Sequence, residues 1–306
     1  MNMLQTELAA APVPHEDNSA LIVAAPGDGQ GYWAGSPSAA LADDGSVYLA
    51  YRLRRPVGAG RGYANVVARS EDGERFETVA ELAREDLDCA SLERPALVPL
   101  AGGGWRLYLS CATPDSKHWR VDAVDAPDPW SFDPASARTI LPGDAATAVK
   151  DPVVMRAGGS WHLWLCCHPL DVPGASDRMY TRYATSDDGL VWDVHGVALA
   201  PRAGEWDERG ARVASVLRVG TRWSAYYDGR RSAEENGEER TGLATGSTPG
   251  RLTAGTGPIA VSAHGRGSLR YVSALPMPDG GLRLYYETTR LDGAHELRTE
   301  YVPAAR

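Results

Sequence analysis

Five times along this 306-residue chain a glycine-bearing turn is followed by a short stretch in which an aromatic residue is flanked by small or apolar ones. The copies are Ser46-Val47-Tyr48-Leu49-Ala50, Arg106-Leu107-Tyr108-Leu109-Ser110, His162-Leu163-Trp164-Leu165-Cys166, Ser224-Ala225-Tyr226-Tyr227-Asp228 and Arg283-Leu284-Tyr285-Tyr286-Glu287. Their central aromatics lie 60, 56, 62 and 59 residues apart. A repeat of this length, strand-rich and punctuated by turns, describes small sheets arrayed about an axis. Five such repeats use the whole chain, so the spacing predicts an all-β, five-bladed propeller. Equivalent strand ends from every blade then meet at a central funnel, which makes neighbours of residues far apart in sequence.

Within each repeat the innermost strand opens near a proline or small residue: Ser36-Pro37-Ser38, Glu93-Arg94-Pro95, Lys150-Asp151-Pro152, Arg212-Val213-Ala214 and Arg270-Tyr271-Val272. Proline is tolerated at a strand's first residue because its missing N–H falls outside the ladder. The aromatic stretch is the second strand. The third centres on alanine (Ala68, Ala123, Ala184, Ala244) and leads into turns such as Glu71-Asp72-Gly73 and Asp187-Asp188-Gly189, where glycine supplies a positive φ. Phe76 or Trp192 then opens an outer strand. The fifth repeat runs out of chain after its third strand, near 296–301, while the apolar run 21–25 has no partner in the first repeat. Residues 21–25 are therefore expected to complete the last blade and remove a free edge. The domain organisation that follows is a flexible tail over 1–18 and a single propeller over 19–306. The charged stretch 230–240 reads as a solvated loop of the fourth blade.

Aromatic usage is lopsided, with 9 Trp and 13 Tyr against 2 Phe. Such amphipathic rings suit packing between blades, or stacking against sugars where one edge meets a polar ligand. The net charge of −9, with both signs interspersed, argues against nucleic acid or an anionic membrane as partner. No run approaches the roughly eighteen apolar residues of a spanning helix. The first residues lack the basic and apolar regions of a signal peptide, so a cytoplasmic protein is expected. Cys89, Cys111, Cys166 and Cys167 lack metal-ligand spacing and read as reduced, buried small hydrophobes.

The Ser-x-Asp-Gly-x-x-Trp turn (Ser186 to Trp192), Asp151-Pro152 opening the third blade and the aromatic second strands together resemble the five-bladed propellers of glycoside hydrolase families 43 and 32, the arabinanase, xylosidase and invertase-like enzymes. The resemblance runs from about residue 21 to 301. It implies a sugar ligand in the funnel and carboxyl groups flanking a scissile bond, one protonated and one ionised. In the family-43 pattern an Asp opens blade one, a Glu opens blade four, and an Asp in blade three tunes the acid. Asp151 matches the third of these. Ser36 stands at the first position, and Ala211 or Arg212 at the second, so two of the three carboxylates are missing.

By strand equivalence the funnel rim carries Ser36, Glu93, Arg94, Lys150, Asp151, Arg212, Arg270 and Tyr271. Glu93 and Asp151 are candidates for a displaced acid/base pair, because facing carboxylates push one pKa upward. The alternative is a structural network in which both pair with Arg212 and Arg270. Asp228 and Glu287 occupy the second-strand position held by Ala50, Ser110 and Cys166 in other repeats. A loop bearing Trp206 and Glu208 precedes blade four and is expected to overhang the mouth, with Trp206 stacking on a sugar and Glu208 as a relocated acid. Trp33 is a candidate platform at the axis. The histidines form no metal-binding spacing, and neither a calcium loop nor a phosphate-binding glycine loop is present, so no metal or cofactor is expected. Three readings follow: a glycosidase-like enzyme using Asp151 and Glu93, a catalytically silent propeller binding a carbohydrate or other small molecule, and an enzyme of small-molecule metabolism whose positive rim takes an anionic substrate. The oligomeric state is left open.

Overall fold

Apolar residues alternating between glycine-bearing turns form strands throughout the chain. The computed structural model describes residues 10–304, and among these it has twenty β-strands joined by loops and short 3-10 turns. The first, β1 (Ala20–Val23), precedes the repeats. The first repeat contains β2 (Trp33–Leu41), β3 (Val47–Arg54), β4 (Gly62–Ser70) and β5 (Glu77–Ala83), and the second β6 (Ala96–Pro99), β7 (Trp105–Ala112), β8 (Trp119–Ala126) and β9 (Arg138–Leu141). The third contains β10 (Thr147–Ala157), β11 (Ser160–Pro169), β12 (Tyr180–Ser186) and β13 (Asp193–Leu199). The fourth has β14 (Gly210–Val219), β15 (Arg222–Arg230), β16 (Arg240–Thr248) and β17 (Arg251–Ala260), and the last β18 (Leu269–Pro276), β19 (Leu282–Thr289) and β20 (His295–Val302).

Successive strands within each repeat pair antiparallel. The last repeat acquires its fourth strand from the other end of the chain: β1 pairs antiparallel with β20, Ala20 opposite Thr299 and Leu21 opposite Arg298. Single parallel bridges, Trp33 with His295 and Arg240 with Leu269, tie neighbouring repeats. The first strands β2, β6, β10, β14 and β18 contact one another in order, and β18 contacts β2.

The apolar core is divided among five clusters, each filling the space between two adjacent repeats. The repeated aromatics of the second strands lie there, and their polar ends reach across to the next element. Tyr108 donates to the carbonyl of Gly189 at 2.8 Å, Trp164 to that of Pro249 at 2.8 Å, Tyr226 to that of Pro12 at 2.6 Å and Tyr285 to that of Gly73 at 3.0 Å. Each ring thus buries its body and keeps a hydrogen bond at its tip. The acceptor turns are themselves built by short polar residues. Asp72 Oδ1 accepts from the amides of Glu74 and Arg75 at 2.8 Å, and Asp188 Oδ1 from those of Leu190 and Val191 at 2.8 and 2.9 Å.

Three features depart from the sequence reading. In the first repeat the position opposite the bulged strand is Ala50, paired with Ser38, where the third and fifth repeats have Trp164 and Tyr285 paired with Val153 and Ser273. Tyr48 is therefore two residues out of register, and Arg52, not Ala50, is the counterpart of Cys166, Asp228 and Glu287. The stretch 230–240 is not wholly solvated: Arg230, Glu238 and Glu239 are buried, Arg230 against Glu239 of its own repeat and Asp177 of the third, Glu238 against His295 and Glu239 against Arg270 of the last. Of the expected tail, residues 1–9 lie outside the described residues. Beyond them Glu16 accepts from Thr288 Oγ1 at 2.7 Å and the amide of Ala263 at 3.2 Å, while the amide of His15 donates to Glu300 at 2.7 Å.

Candidate functional site

The first strands of four repeats carry bulges where they face the axis, at 35–38, 150–153, 213–215 and 270–273. An extra residue in one strand re-aims a side chain. At three of these bulges a non-glycine residue adopts left-handed backbone: Ser36 (φ 56°), Asp151 (φ 52°) and Tyr271 (φ 55°). That conformation costs an L-residue about 1–2 kcal/mol. Through these bulges Tyr271 and Asp151, 120 residues apart, come within hydrogen-bonding reach, the phenol donating to Asp151 Oδ2 at 3.3 Å.

Around this pair runs a buried network of alternating charge. Arg212 donates through Nη1 to Asp151 Oδ2 at 3.0 Å and through Nε and Nη2 to Asp228 Oδ2 at 3.0 and 2.9 Å. Asp228 Oδ1 accepts from the amide of Tyr271 at 2.9 Å, and Asp151 Oδ1 from the amide of Arg94 at 3.2 Å. Arg270 donates through Nε and Nη2 to Glu287 Oε1 at 3.0 and 2.6 Å and also pairs with Glu239. Arg52 bridges Glu93 and Glu287, the latter at 3.0 Å. Glu239 is shared with Arg230 and approached by Arg212 at 3.9 Å. His295 lies between Glu287 at 2.6 Å and Glu238 at 3.3 Å.

The electrostatics follow from this pairing. Burial pushes Asp151 upward, but Lys150 and Arg212 outweigh it and hold the carboxyl below its usual range. Burial likewise opposes ionisation of Glu93, Glu239 and Glu287, and the surrounding guanidiniums win at each: Arg52 at Glu93, Arg270 at Glu239 and at Glu287. Asp228 differs, because its burial exceeds the help from Arg212 and its pKa is raised. Arg54 is pushed down to about 10 by burial, with Arg52, Arg270 and Arg61 adding repulsion, and Arg94 to about 10 mainly by burial. His168, buried and beside Lys150, is held neutral at about 3.

The network leaves a cavity of about 40 Å³, lined by Trp33, Arg52, Arg54, Glu93, Lys150, His168, Arg212, Arg230, Asn236, Gly237, Glu239, Arg270 and Tyr271. At about 10–15 Å³ per water, this holds a few waters, well short of a pyranose ring. Of the rim residues inferred from the strands, Glu93, Lys150, Arg212, Arg270 and Tyr271 line this cavity. Glu93 and Asp151 do not flank an open space as an acid/base pair. Glu93 reaches the cavity paired to Arg52, whereas Asp151, Asp228, Glu287, Ser36 and Arg94 do not line it. Trp33 reaches the wall but offers no free platform: it stacks on His295 at 4.6 Å and is covered by the guanidiniums of Arg54 at 4.1 Å and Arg270 at 4.8 Å.

Trp206 and Glu208 do not line this cavity. Trp206 packs on Tyr227 at 5.5 Å, over Gly229 and Gly242, whose missing side chains make room for the ring. Glu208 folds back on its own turn, accepting from the amide of Gly204 at 2.8 Å. Residues that the sequence reading overlooked complete the site. Arg52 was hidden by the register shift of the first repeat; Arg54 follows it by one alternation of the same strand. Arg230 and Glu239 were hidden in a charge-rich segment whose composition reads as solvent-facing. The only signal for them was their place at the ends of the second and third strands of the fourth repeat, the ends that meet the axis. Among the described residues no group of three His, Cys, Asp or Glu side chains is placed to hold a metal ion, and no helix is long and apolar enough to cross a membrane.

No family model matches the chain, and no curated protein matches it either. Solved structures do. A GH43_1 enzyme from Xanthomonas citri, complexed with xylotriose, superposes with a TM-score of 0.68 at 17% identity, covering 92% of this chain and 89% of the other. A thermostable family-43 glycoside hydrolase gives 0.66 at 14% identity over 88% of each chain. A β-1,2-mannobiose phosphorylase from Listeria innocua gives 0.63 at 14% identity over 95% and 92%. The protein therefore has the propeller fold of these carbohydrate-active enzymes.

Proposed function

We propose that each repeat is one blade of a five-bladed propeller formed by residues 19–304, and that the funnel takes a sugar or glycosylated small molecule through an anionic group on that ligand. The observation that carries this reading is the cavity wall, where Arg52, Arg54, Lys150, Arg212, Arg230 and Arg270 stand beside two lining carboxylates, Glu93 and Glu239, while Asp151, Asp228 and Glu287 pair with Arg212, Arg270 and Arg52 from outside the lining. Arg54 and Lys150 are the least compensated of these cations: each has one acidic partner, Glu93 at 3.7 Å and Asp151 at 3.8 Å, and Arg52 and Arg212 already claim those carboxylates. An anionic group entering the cavity would meet charge-assisted donors without displacing any internal pair. The similar structures support a carbohydrate as the remainder of the ligand.

Glu93 and Asp151 serve in this reading as counter-charges that position the guanidiniums. Hydrolysis by two carboxyls needs one of them protonated, and both are held ionised by their cations. Asp228, whose pKa is raised, has both oxygens engaged and does not line the cavity. The reading is tested by calorimetric titration with glucose 1-phosphate and with glucose, in the native chain and in Arg54→Ala. The phosphate ester is expected to bind, glucose not to bind detectably, and Arg54→Ala to weaken the phosphate ester by about tenfold or more, the worth of a charge-assisted contact. Equal affinity for the two ligands would overturn the anionic reading. Turnover of aryl arabinosides or xylosides that disappears in Glu93→Gln would restore the acid/base role.

A further inference from the structure

The floor of the cavity is Tyr271, and what lies behind it is unusual. Its ring is 2% exposed, held on left-handed backbone at φ 55°. Four guanidiniums surround it: Arg212 at 3.8 Å from the ring centre, Arg270 at 5.1 Å, Arg52 at 5.9 Å and Arg94 at 6.0 Å. Its hydroxyl donates to Asp151, a carboxylate that no part of the cavity reaches. Among the described residues, the buried Ser36 Oγ and Arg94 Nε and Nη1 have no hydrogen-bond partner. Both residues are almost fully buried, at 0% and 3% exposed. Unpartnered buried donors are costly and uncommon in folded proteins. Ser36 lies in the bulge of the first repeat, and the Arg94 guanidinium lies 6.0 Å from the Tyr271 ring.

We propose that Tyr271 is the specificity-determining residue of the funnel: its ring stands over Asp151, admits only a compact anionic group above it, and keeps a sugar ring from the buried polar groups of Ser36, Arg94, Asp151 and Asp228. The reading accounts together for a cavity too small for a pyranose, for strained backbone at a buried aromatic, and for donors left without acceptors beneath it. The flat face of a tyrosine among four cations stands where a ligand's ring and hydroxyls would otherwise lie. Strained backbone of this kind persists only where the surrounding structure over-determines it. The inference rests on the funnel being the ligand site, as proposed above.

The experiment compares the native chain with Tyr271→Ala and Tyr271→Phe, titrating D-xylose, L-arabinose and D-mannose as neutral probes and inorganic phosphate as the anionic one. Tyr271→Ala is expected to bind at least one monosaccharide about tenfold or more tighter than the native chain does. Tyr271→Phe, which keeps the ring, is expected to behave as the native chain. p-Cresol, which has the shape of the deleted side chain, is expected to raise the melting temperature of Tyr271→Ala and leave that of the native chain unchanged. If the alanine variant fails to fold, Tyr271→Leu carries the same expectations. Monosaccharide binding that is no better in the shortened variants, or as strong in Tyr271→Phe as in Tyr271→Ala, would overturn the proposal. Phosphate binding reports separately on the anionic reading, since it depends on Arg54 and Lys150 above the ring: its absence from the native chain would count against that reading while leaving the monosaccharide comparison intact.

Discussion

Asp151 shows how the geometry around one residue decides its chemistry. Its side chain is aimed at the axis by a bulge and a left-handed backbone, and it meets Arg212 at 3.0 Å and Lys150 at 3.8 Å. Replacing it with asparagine would take one of two directly bonded carboxylates from the buried Arg212, the other being Asp228, and breaking a buried pair from one side costs up to about 3–5 kcal/mol. Asp151→Asn is therefore expected to lower the denaturant midpoint clearly without a change of slope, as measured by urea unfolding. An unchanged midpoint would mean that Arg212 is satisfied by Asp228 alone. A second test at this scale uses Gly35, where an added Cβ would overlap the carboxylate of Glu287. Gly35→Ala is expected to displace Glu287 from Arg52, Arg270 and His295 and to cost more stability than Gly45→Ala, which meets nothing. Since Gly45 has φ 86° and is itself strained by alanine, a larger loss at Gly35 isolates the clash from the backbone term.

At the level of strands, the most informative element is the one that closes the ring. The four-residue β1 pairs with β20, and just before it Glu16 accepts hydrogen bonds from Thr288, Ser262 and Ala263. Deleting residues 1–26 exposes the edge of β20 and strips the cover from the last two repeats. Ring closure and edge protection are lost together, so a fall in melting temperature and a new tendency to associate are expected in calorimetry and light scattering. A truncated chain that melts like the native one and stays monodisperse would show that the closure is dispensable. This element was legible in the sequence because it depends on counting: a repeat short of one strand at one end and an unpartnered apolar run at the other. The turns were legible too, since Asp72-Gly73 and Asp188-Gly189 bond locally within a few residues. What failed was register and burial. Tyr48 sits two residues before its structural equivalent, which hid Arg52, and Glu238 and Glu239 look solvent-facing because the side chains that bury them come from 57 and 31 residues further along the chain, at His295 and Arg270. Trp206 misled in the same way, because the space it fills is made by Gly229 and Gly242 of a neighbouring hairpin. Local pattern fixes strands and turns, while charge burial depends on contacts that only the assembled ring creates.

Taken whole, the molecule keeps its densest charge where a propeller usually keeps its ligand, and its response to pH should reveal this. Glu93, Asp151, Glu239 and Glu287 are each depressed by neighbouring cations, against the opposing pull of burial. A carboxyl whose folded pKa lies below its unfolded one stabilises the fold fully above the unfolded value near 4, and that contribution disappears as pH falls through the folded value. Asp228 acts in the opposite sense: its raised pKa contributes stability present below about 4, which is lost as pH rises through the folded value. Four groups outweigh one, so the free energy of unfolding is expected to fall between about pH 5 and pH 2 more steeply than exposed carboxylates would produce. Urea unfolding measured across that range checks the slope. Because removing a carboxylate also removes its titration, Glu287→Gln should be less stable at pH 7 yet lose less stability on acidification, whereas Asp228→Asn should leave the slope as steep or steeper. A native profile flat down to pH 3 would mean that solvent reaches the funnel and discharges these pairs, and the buried network could not then be what holds the axis together.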